Sequence, residues 1–466
     1  MKNLKSLKQQ GSVPQSSVKP NPHTNLNRSL GTIDGVALLI GITIGLGIFT
    51  TPSLVAGYLD SFSSVMMVWI GIGMFMIMGG LIYAELGTRL PVTGGEYVYI
   101  TKCFGPLAGF MLGWAQLFII RTSPAAAVAI ISADYLGVMI DLSPMAHTSV
   151  ALGIIIFVGA INYLGITWAS LFQKFTVVAK VGFIASLVLL GLAFINRTPN
   201  LLGSTSPVTE GLGPIGNVTA AVILIIFSHT GWDRVGCVAE EMKDPRKVIP
   251  RTMLFGMSTV LVLYWSINTM YHYILGIEGM RDTITPAADM ADIVIGPIAA
   301  NFVALMIILS AIGGINGTAM SATRVYYSMA KDGIFFSWLN YIHPKFKTPS
   351  RAIIIYCAWT SFLILFRGSF ENIAGGMVFA ILIFYIMTTA AFFKIRIKNI
   401  GEPGAFRIPF YPWLPCIYLI GLVGLVVLRA IYQWEQSLID LAILTPGLPI
   451  SYIWLSKKRK KHHSEI

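Results

Sequence analysis

The sequence predicts an all-α integral membrane protein of twelve transmembrane helices, and three observations carry that prediction. Of its 466 residues 55% are hydrophobic and only 12% charged, with a mean hydropathy of +0.72; so little polar surface cannot cover a soluble globule. Apolar windows of about 20 residues, the length that crosses a bilayer as a helix, recur along the whole chain. The basic residues that make the net charge +12 fall on alternate connections between those windows, as the positive-inside rule requires of a multi-pass protein.

Taken in order, residues 1–30 read as a disordered cytoplasmic tail, because the stretch up to 27 is rich in Ser, Asn, Pro, Gln and Lys and lacks an apolar core; it is no signal peptide. The expected spans are roughly 33–57, 64–86, 98–133, 148–166, 172–195, 215–239, 253–275, 295–323, 352–367, 373–393, 413–432 and 437–456. The third is too long for one perpendicular helix, so it is expected to tilt or project, with Pro124 as a kink and Arg121 toward its outer end. Spans one to ten, residues 31–395, form a transport core; residues 396–456 hold spans eleven and twelve, and 457–466 are a basic cytoplasmic tail.

Lys2, Lys5, Lys8, Lys19 and Arg28 precede span one, Lys243, Arg246, Lys247 and Arg251 follow span six, and Arg324, Lys331, Lys345, Lys347 and Arg351 follow span eight. Lys394, Arg396, Lys398 and Arg407 follow span ten, and Lys457 to Lys461 are basic throughout. With twelve spans all of these share one side, and Glu278, Asp282, Asp289 and Asp292 lie on the other. Both termini are therefore expected in the cytoplasm, with the basic tail setting topology and touching anionic membrane lipid rather than binding nucleic acid. Cys103, Cys237, Cys357 and Cys416 lie in or beside spans without metal-ligand spacing, so neither disulfides nor zinc are expected. No nucleotide-binding loop, HExxH, GxSxG or pair of intramembrane carboxylates occurs. The chain is thus expected to be no enzyme and no primary pump, and to need no cofactor.

Two spans are interrupted near their middles, at Gly41-Ile42-Thr43-Ile44-Gly45-Leu46-Gly47-Ile48-Phe49 and at Phe227-Ser228-His229-Thr230-Gly231-Trp232. Backbone that leaves the helix at bilayer depth persists only where it is buried in protein or lines a cavity, and paired interruptions in two halves of a chain point to a transporter's substrate site. A broken helix frees N–H groups at one stump and carbonyls at the other, which suits a zwitterion. The N–H groups around Leu46 and Gly47 are expected to take a carboxylate. Carbonyls near Thr43, Phe227 and Thr230 are expected to take an ammonium group, while Gly45 and Gly231 let the ligand approach the main chain. Close helix packing is the competing explanation of the first glycine cluster. His229 is either a substrate contact or pH sensor or a satisfied hydrogen-bonding residue. Phe227, at the second break, is a candidate gate. Lys180 falls about eight residues into the fifth span, about 12 Å deep at 1.5 Å per residue, where an ammonium marks an ion path or pairs with freed carbonyls. Glu85 and Glu240-Glu241 are expected to make cytoplasmic ion pairs.

The runs Gly45-Leu46-Gly47-Ile48-Phe49 with Pro52, Tyr83-Ala84-Glu85-Leu86, Pro91 with Thr93 to Tyr99, and Phe227 with Gly231-Trp232 and Glu240-Glu241 resemble the amino acid–polyamine–organocation permeases over about residues 30–350. Ile120-Arg121-Thr122-Ser123 and Ala179-Lys180 look like the L-type amino acid transporter branch, in its bacterial form. The resemblance implies a five-plus-five inverted repeat of the LeuT kind, with discontinuous helices 1 and 6, and alternating access. It also implies that Lys180 stands in for a sodium ion, hence sodium-independent exchange of neutral amino acids. A proton-coupled symporter is the alternative, and a permease-like ligand sensor a more distant one. Leu46 replaces the family's usual small residue and His229 its usual aromatic. Residues 137–147 lack the cysteine that couples animal relatives to a heavy chain, so no disulfide-linked partner is expected.

Overall fold

The computed structural model describes residues 30–92, 94–165, 182, 183, 186, 187, 189, 192, 211–331, 333–402 and 406–454, apart from the side chains of Cys237, Val238, Glu240, Glu241 and Ser328. Among these residues the chain is helical, with one isolated parallel bridge between Leu30 and Met242. Among the described residues ten helices are long and apolar enough to cross a membrane. Lys180 and both basic tails lie outside the described residues.

The first expected span is divided. α1 (Thr32–Thr43) stops at Ile44, a 3-10 turn covers Leu46–Phe49, and α2 (Thr51–Tyr58) completes it. α3 (Phe62–Arg89) starts at Ser61, whose side chain accepts from the Ser64 N–H and so fills one of the orphan donors of a helix start. The third expected span is corrected by the structure. Its first residues form a separate helix, α4 (Glu96–Phe104), ended by Gly105 at φ +86 and followed by Pro106, which opens α5 (Pro106–Ala115). Left-handed glycine followed by proline is a strong helix stop, and it takes the first residues of the expected span out of the crossing helix. The crossing helix runs Pro106–Gly137 through a π turn at Gln116–Ile120 into α6 (Thr122–Gly137). Pro124 lacks the N–H that would bond back four residues, which fits a register change just before it. Arg121 consequently sits at mid-helix, not toward the outer end.

α7 (Pro144–Leu164) and α8 (Gly213–His229) follow, then a 3-10 segment Trp232–Glu241 and α9 (Pro245–Arg281). The expected acidic connection after α9 contains α10 (Pro286–Val294), beyond which come α11 (Pro297–Lys331), α12 (Ser350–Arg367), α13 (Phe370–Ile397), α14 (Trp413–Tyr432) and α15 (Trp434–Leu444). α9 packs along α3 and α1, and α8 against α2 and α3; a second group joins α6, α7, α11 and α12. α13 touches both groups through α8 and α6. The breaks therefore lie inside protein, where irregular backbone is tolerated at membrane depth.

At the end where α3 and α13 finish, Glu85 is fully buried and accepts from Arg89 at 2.9 Å, Arg396 at 2.6 Å and the backbone N–H of Ile408 at 2.9 Å. The expected ion pairing of Glu85 is present, and it holds Ile408 beneath α3. Glu402 N–H also donates to the Arg89 carbonyl at 2.8 Å. Among the described side chains, Arg246 pairs with Glu402 at 3.2 Å, the Glu240 and Glu241 side chains lying outside that set.

Candidate functional site

Both interruptions are real departures from the helix. Ile44 (φ −72, ψ 84) and extended Gly45 separate α1 from the 3-10 turn. Extended Thr230 and left-handed Gly231, at φ +115, separate α8 from its 3-10 continuation. The two breaks meet. A Cβ on Gly47 would stand 2.6 Å from Ser228 Oγ, and one on Gly231 would stand 2.9 Å from Ile42 Cγ2, so each glycine makes room for the other helix. Gly45 differs: a Cβ there would meet only the Thr43 carbonyl, at 3.9 Å, so there is space beside that residue.

Leu46 and Gly47 open the 3-10 turn, and the first N–H groups of such a turn have no partner within it. Thr43 Oγ1 is buried with no hydrogen-bond partner. Two of the three carbonyls expected to take an ammonium, those of Thr43 and Phe227, are already engaged in this conformation. Thr43 O accepts from Gly45 N–H at 2.7 Å and from Tyr264 Oη at 3.1 Å, and Phe227 O accepts from Thr230 N–H at 3.2 Å and Thr230 Oγ1 at 2.8 Å. Tyr264, on α9, also donates to Ser228 O at 2.8 Å and so ties the stump of α1 to the stump of α8. Nothing in the local sequence marks this tyrosine, which lies 221 residues from Thr43. Ser228 Oγ donates to Thr51 Oγ1 at 3.0 Å, and Tyr135 Oη on α6 to Phe49 O at 2.7 Å, adding two more ties across the first break.

The His229 ring packs against Trp69 of α3 and Tyr264, with centroids 5.7 and 4.9 Å away. Its Nδ1 donates to Ile225 O at 2.9 Å, while Nε2 is buried without a partner. Phe227 is buried, edge-on to Phe370 at the start of α13, 5.3 Å between centroids. Phe49 packs on Phe183, one of the few described residues of the fifth span, at 5.9 Å.

Beyond the second break lies a cluster that sequence reasoning does not find. Asp233 accepts from Gly231 N–H at 3.2 Å and from Tyr385 Oη at 3.4 Å. Tyr83 Oη donates to Glu96 Oε1. Both carboxylates are 7% exposed. Glu96 belongs to α4, in the connection between spans. Its burial, reinforced by the Asp233 charge and opposed by the Tyr83 hydroxyl and Arg121, pushes its pKa up to about 8. The one local signal is Gly94-Gly95-Glu96, and nothing in that run says that Asp233 lies opposite.

Two discontinuous helices whose breaks meet inside a helical bundle are the arrangement from which carriers commonly build a substrate site. The chain belongs to the amino acid permease family, whose model matches residues 30–453, within the amino acid–polyamine–organocation superfamily. It is 28% identical over 440 residues to the serine/threonine exchanger SteT of Bacillus subtilis (strain 168), covering 93% of this chain and 98% of that protein. It is 26% identical over 444 residues to the human b(0,+)-type amino acid transporter 1, covering 93% and 89% of the two chains. It is 26% identical over 442 residues to the human large neutral amino acids transporter small subunit 2, covering 92% and 80%.

Proposed function

We propose that the protein is a sodium-independent exchanger of neutral amino acids in the cytoplasmic membrane, working by alternating access with twelve spans, a five-plus-five inverted repeat and both termini cytoplasmic. The observation that supports this reading is the contact of the two breaks, Gly47 against Ser228 and Gly231 against Ile42, with open space beside Gly45; there the zwitterion is assigned to the opening N–H groups at Leu46 and Gly47 and the carbonyls at Thr43 and Phe227. An ammonium group reaches those carbonyls by displacing the hydroxyls of Tyr264 and Thr230, so binding loosens the ties between the stumps and gives substrate a lever on conformation.

Gly231 keeps the second break open, and His229 contributes by setting the packing behind the gap. Phe227 closes the path over the substrate, with Phe370 as the surface it turns against. Lys180 replaces a coupling cation and supplies a charge tying span five to span one. Neither break, 41–49 or 227–232, contains an acidic residue, which disfavours cationic substrates. The exchange named for SteT supports the same reading here. With no cysteine in residues 137–147, a disulfide-linked heavy chain is not part of it. Labelled neutral amino acid uptake into proteoliposomes, with and without unlabelled amino acid inside, tests the proposal; uptake that ignores internal amino acid refutes exchange.

A further inference from the structure

The connection between α11 and α12 carries charge that the exchange reading does not use. Residues 333–351 include Lys345, Lys347 and Arg351 and no acid. Among the described residues no carboxylate pairs with any of the three. Both lysines are exposed, on a loop held firmly from beneath. Thr348 is buried and donates through Oγ1 to Tyr163 O near the end of α7, at 2.9 Å. His343 N–H donates to Thr348 O at 2.8 Å and Lys347 N–H to His343 O at 2.9 Å. His343 Nδ1 in turn accepts from the N–H groups of Lys345 and Phe346, at 3.3 and 3.2 Å. The rings of Tyr163, His343 and Phe346 close on one another, with centroids 5.4, 5.6 and 4.9 Å apart. Lys347 stands at φ +57, a left-handed conformation unfavourable to a lysine that these bonds impose.

Exposed apolar groups accompany the charge. Trp338 is 50% and Ile342 37% exposed, between two helices long enough to cross a membrane, where an indole favours the boundary of headgroups and acyl chains. Arg351 joins the two features: it donates to Trp338 O at 3.1 Å and lies 4.2 Å from the Tyr341 ring centroid. Trp454 packs on Phe336 at 5.7 Å and donates to Gly333 O at 3.4 Å. Lys457, which opens the basic run 457–461, follows three residues later, so chain length alone keeps it within about 11 Å of Trp454. We propose that Lys345 and Lys347, with the root of the basic tail beside them, form a binding site for the headgroup phosphate of an anionic phospholipid, Trp338 and Ile342 resting among its acyl chains. The lysines supply the charge that a phosphate needs, the locked loop presents them without further ordering, and the apolar pair selects a lipid over a free anion.

The site adds a partner to the transport reading without resting on it, because binding is read on the purified protein. Native mass spectrometry in neutral detergent, titrating phosphatidylglycerol against phosphatidylcholine, should show saturable binding of the anionic lipid. Each lysine near an anionic headgroup is worth about fivefold in affinity, so Lys345→Gln combined with Lys347→Asn should weaken phosphatidylglycerol about thirtyfold. Asparagine is chosen at 347 because it tolerates the left-handed backbone. Lys243→Gln combined with Lys247→Gln removes the same charge from another basic connection and should leave that affinity within about threefold of wild type. Equal weakening in the two double variants would mean diffuse attraction of a basic surface and overturn the site. So would equal binding of phosphatidylcholine. Inorganic phosphate that displaces phosphatidylglycerol at equal concentration would show a free-anion site and overturn the assignment to lipid.

Discussion

Gly45 and Gly231 stand at equivalent places in the two breaks for different physical reasons, and substitution separates them. Gly45 has an ordinary extended conformation and open space beside it, so Gly45→Val should fold with near-native melting while losing more than about tenfold in substrate affinity, about 1.4 kcal/mol, as its side chain fills the gap. Unchanged affinity in folded Gly45→Val would place the substrate elsewhere. Gly231, at φ +115 against Ile42, is required by the backbone itself; Gly231→Ala should cost about 1–2 kcal/mol of stability before substrate enters the question. Tyr264→Phe keeps the ring and removes the hydroxyl shared by Thr43 O and Ser228 O. Leaving a buried carbonyl short of a donor costs about 1–3 kcal/mol, measurable as a fall in melting temperature that added amino acid should partly restore. The glycines are legible in the sequence because backbone exposed at bilayer depth has few explanations. Tyr264 is not, since one tyrosine in an apolar span looks like any other until the partner helices are placed.

At the scale of elements, helices far apart in sequence are joined by buried charge. Asp440 on α15 is fully buried, accepting from Arg429 of α14 at 2.8 Å and from Arg367 at the end of α12. α13 passes this cluster with Gly375 and Gly376, where a Cβ would lie 2.5 Å from Arg429 Nη1 and from Asp440 Oδ1 respectively. Removing one member of such a group strands the others, so Asp440→Asn should destabilise by about 3–5 kcal/mol and loosen α14 and α15 first, seen as faster amide exchange there than in α3 or α9. Equal exchange across all helices would show that the cluster does not hold those two in particular. Apolar runs announce most of these helices, while their ends depend on stop signals. Phe104-Gly105-Pro106 splits the third window, a cue that hydropathy alone overrides and that left-handed glycine followed by proline makes physically plain. The pairing of Glu85 with basic residues is expected from the sequence; the backbone contact from Ile408 that joins it has no periodic signature.

For the whole molecule, topology and site follow from different kinds of information. The charge alternation and the paired breaks are one-dimensional patterns, and both are readable from the chain alone. The meeting of Gly47 with Ser228, and of Gly95 with Gly236, arises from the way α1, α8 and α4 are packed and has no counterpart in local spacing. Lys180 remains central to the transport proposal from sequence: Lys180→Ala should leave a folded protein that binds amino acid but exchanges it at least about tenfold more slowly, the loss of about 1.4 kcal/mol or more from the transition between facing states. The most direct test of sodium-independent exchange is counterflow by the purified wild-type protein in sodium-free proteoliposomes at equal pH on both sides. Exchange predicts rapid uptake of labelled neutral amino acid when the vesicles hold unlabelled amino acid, little uptake when they are empty, and no change on adding sodium; uptake into empty vesicles driven by an imposed sodium or proton gradient would contradict it.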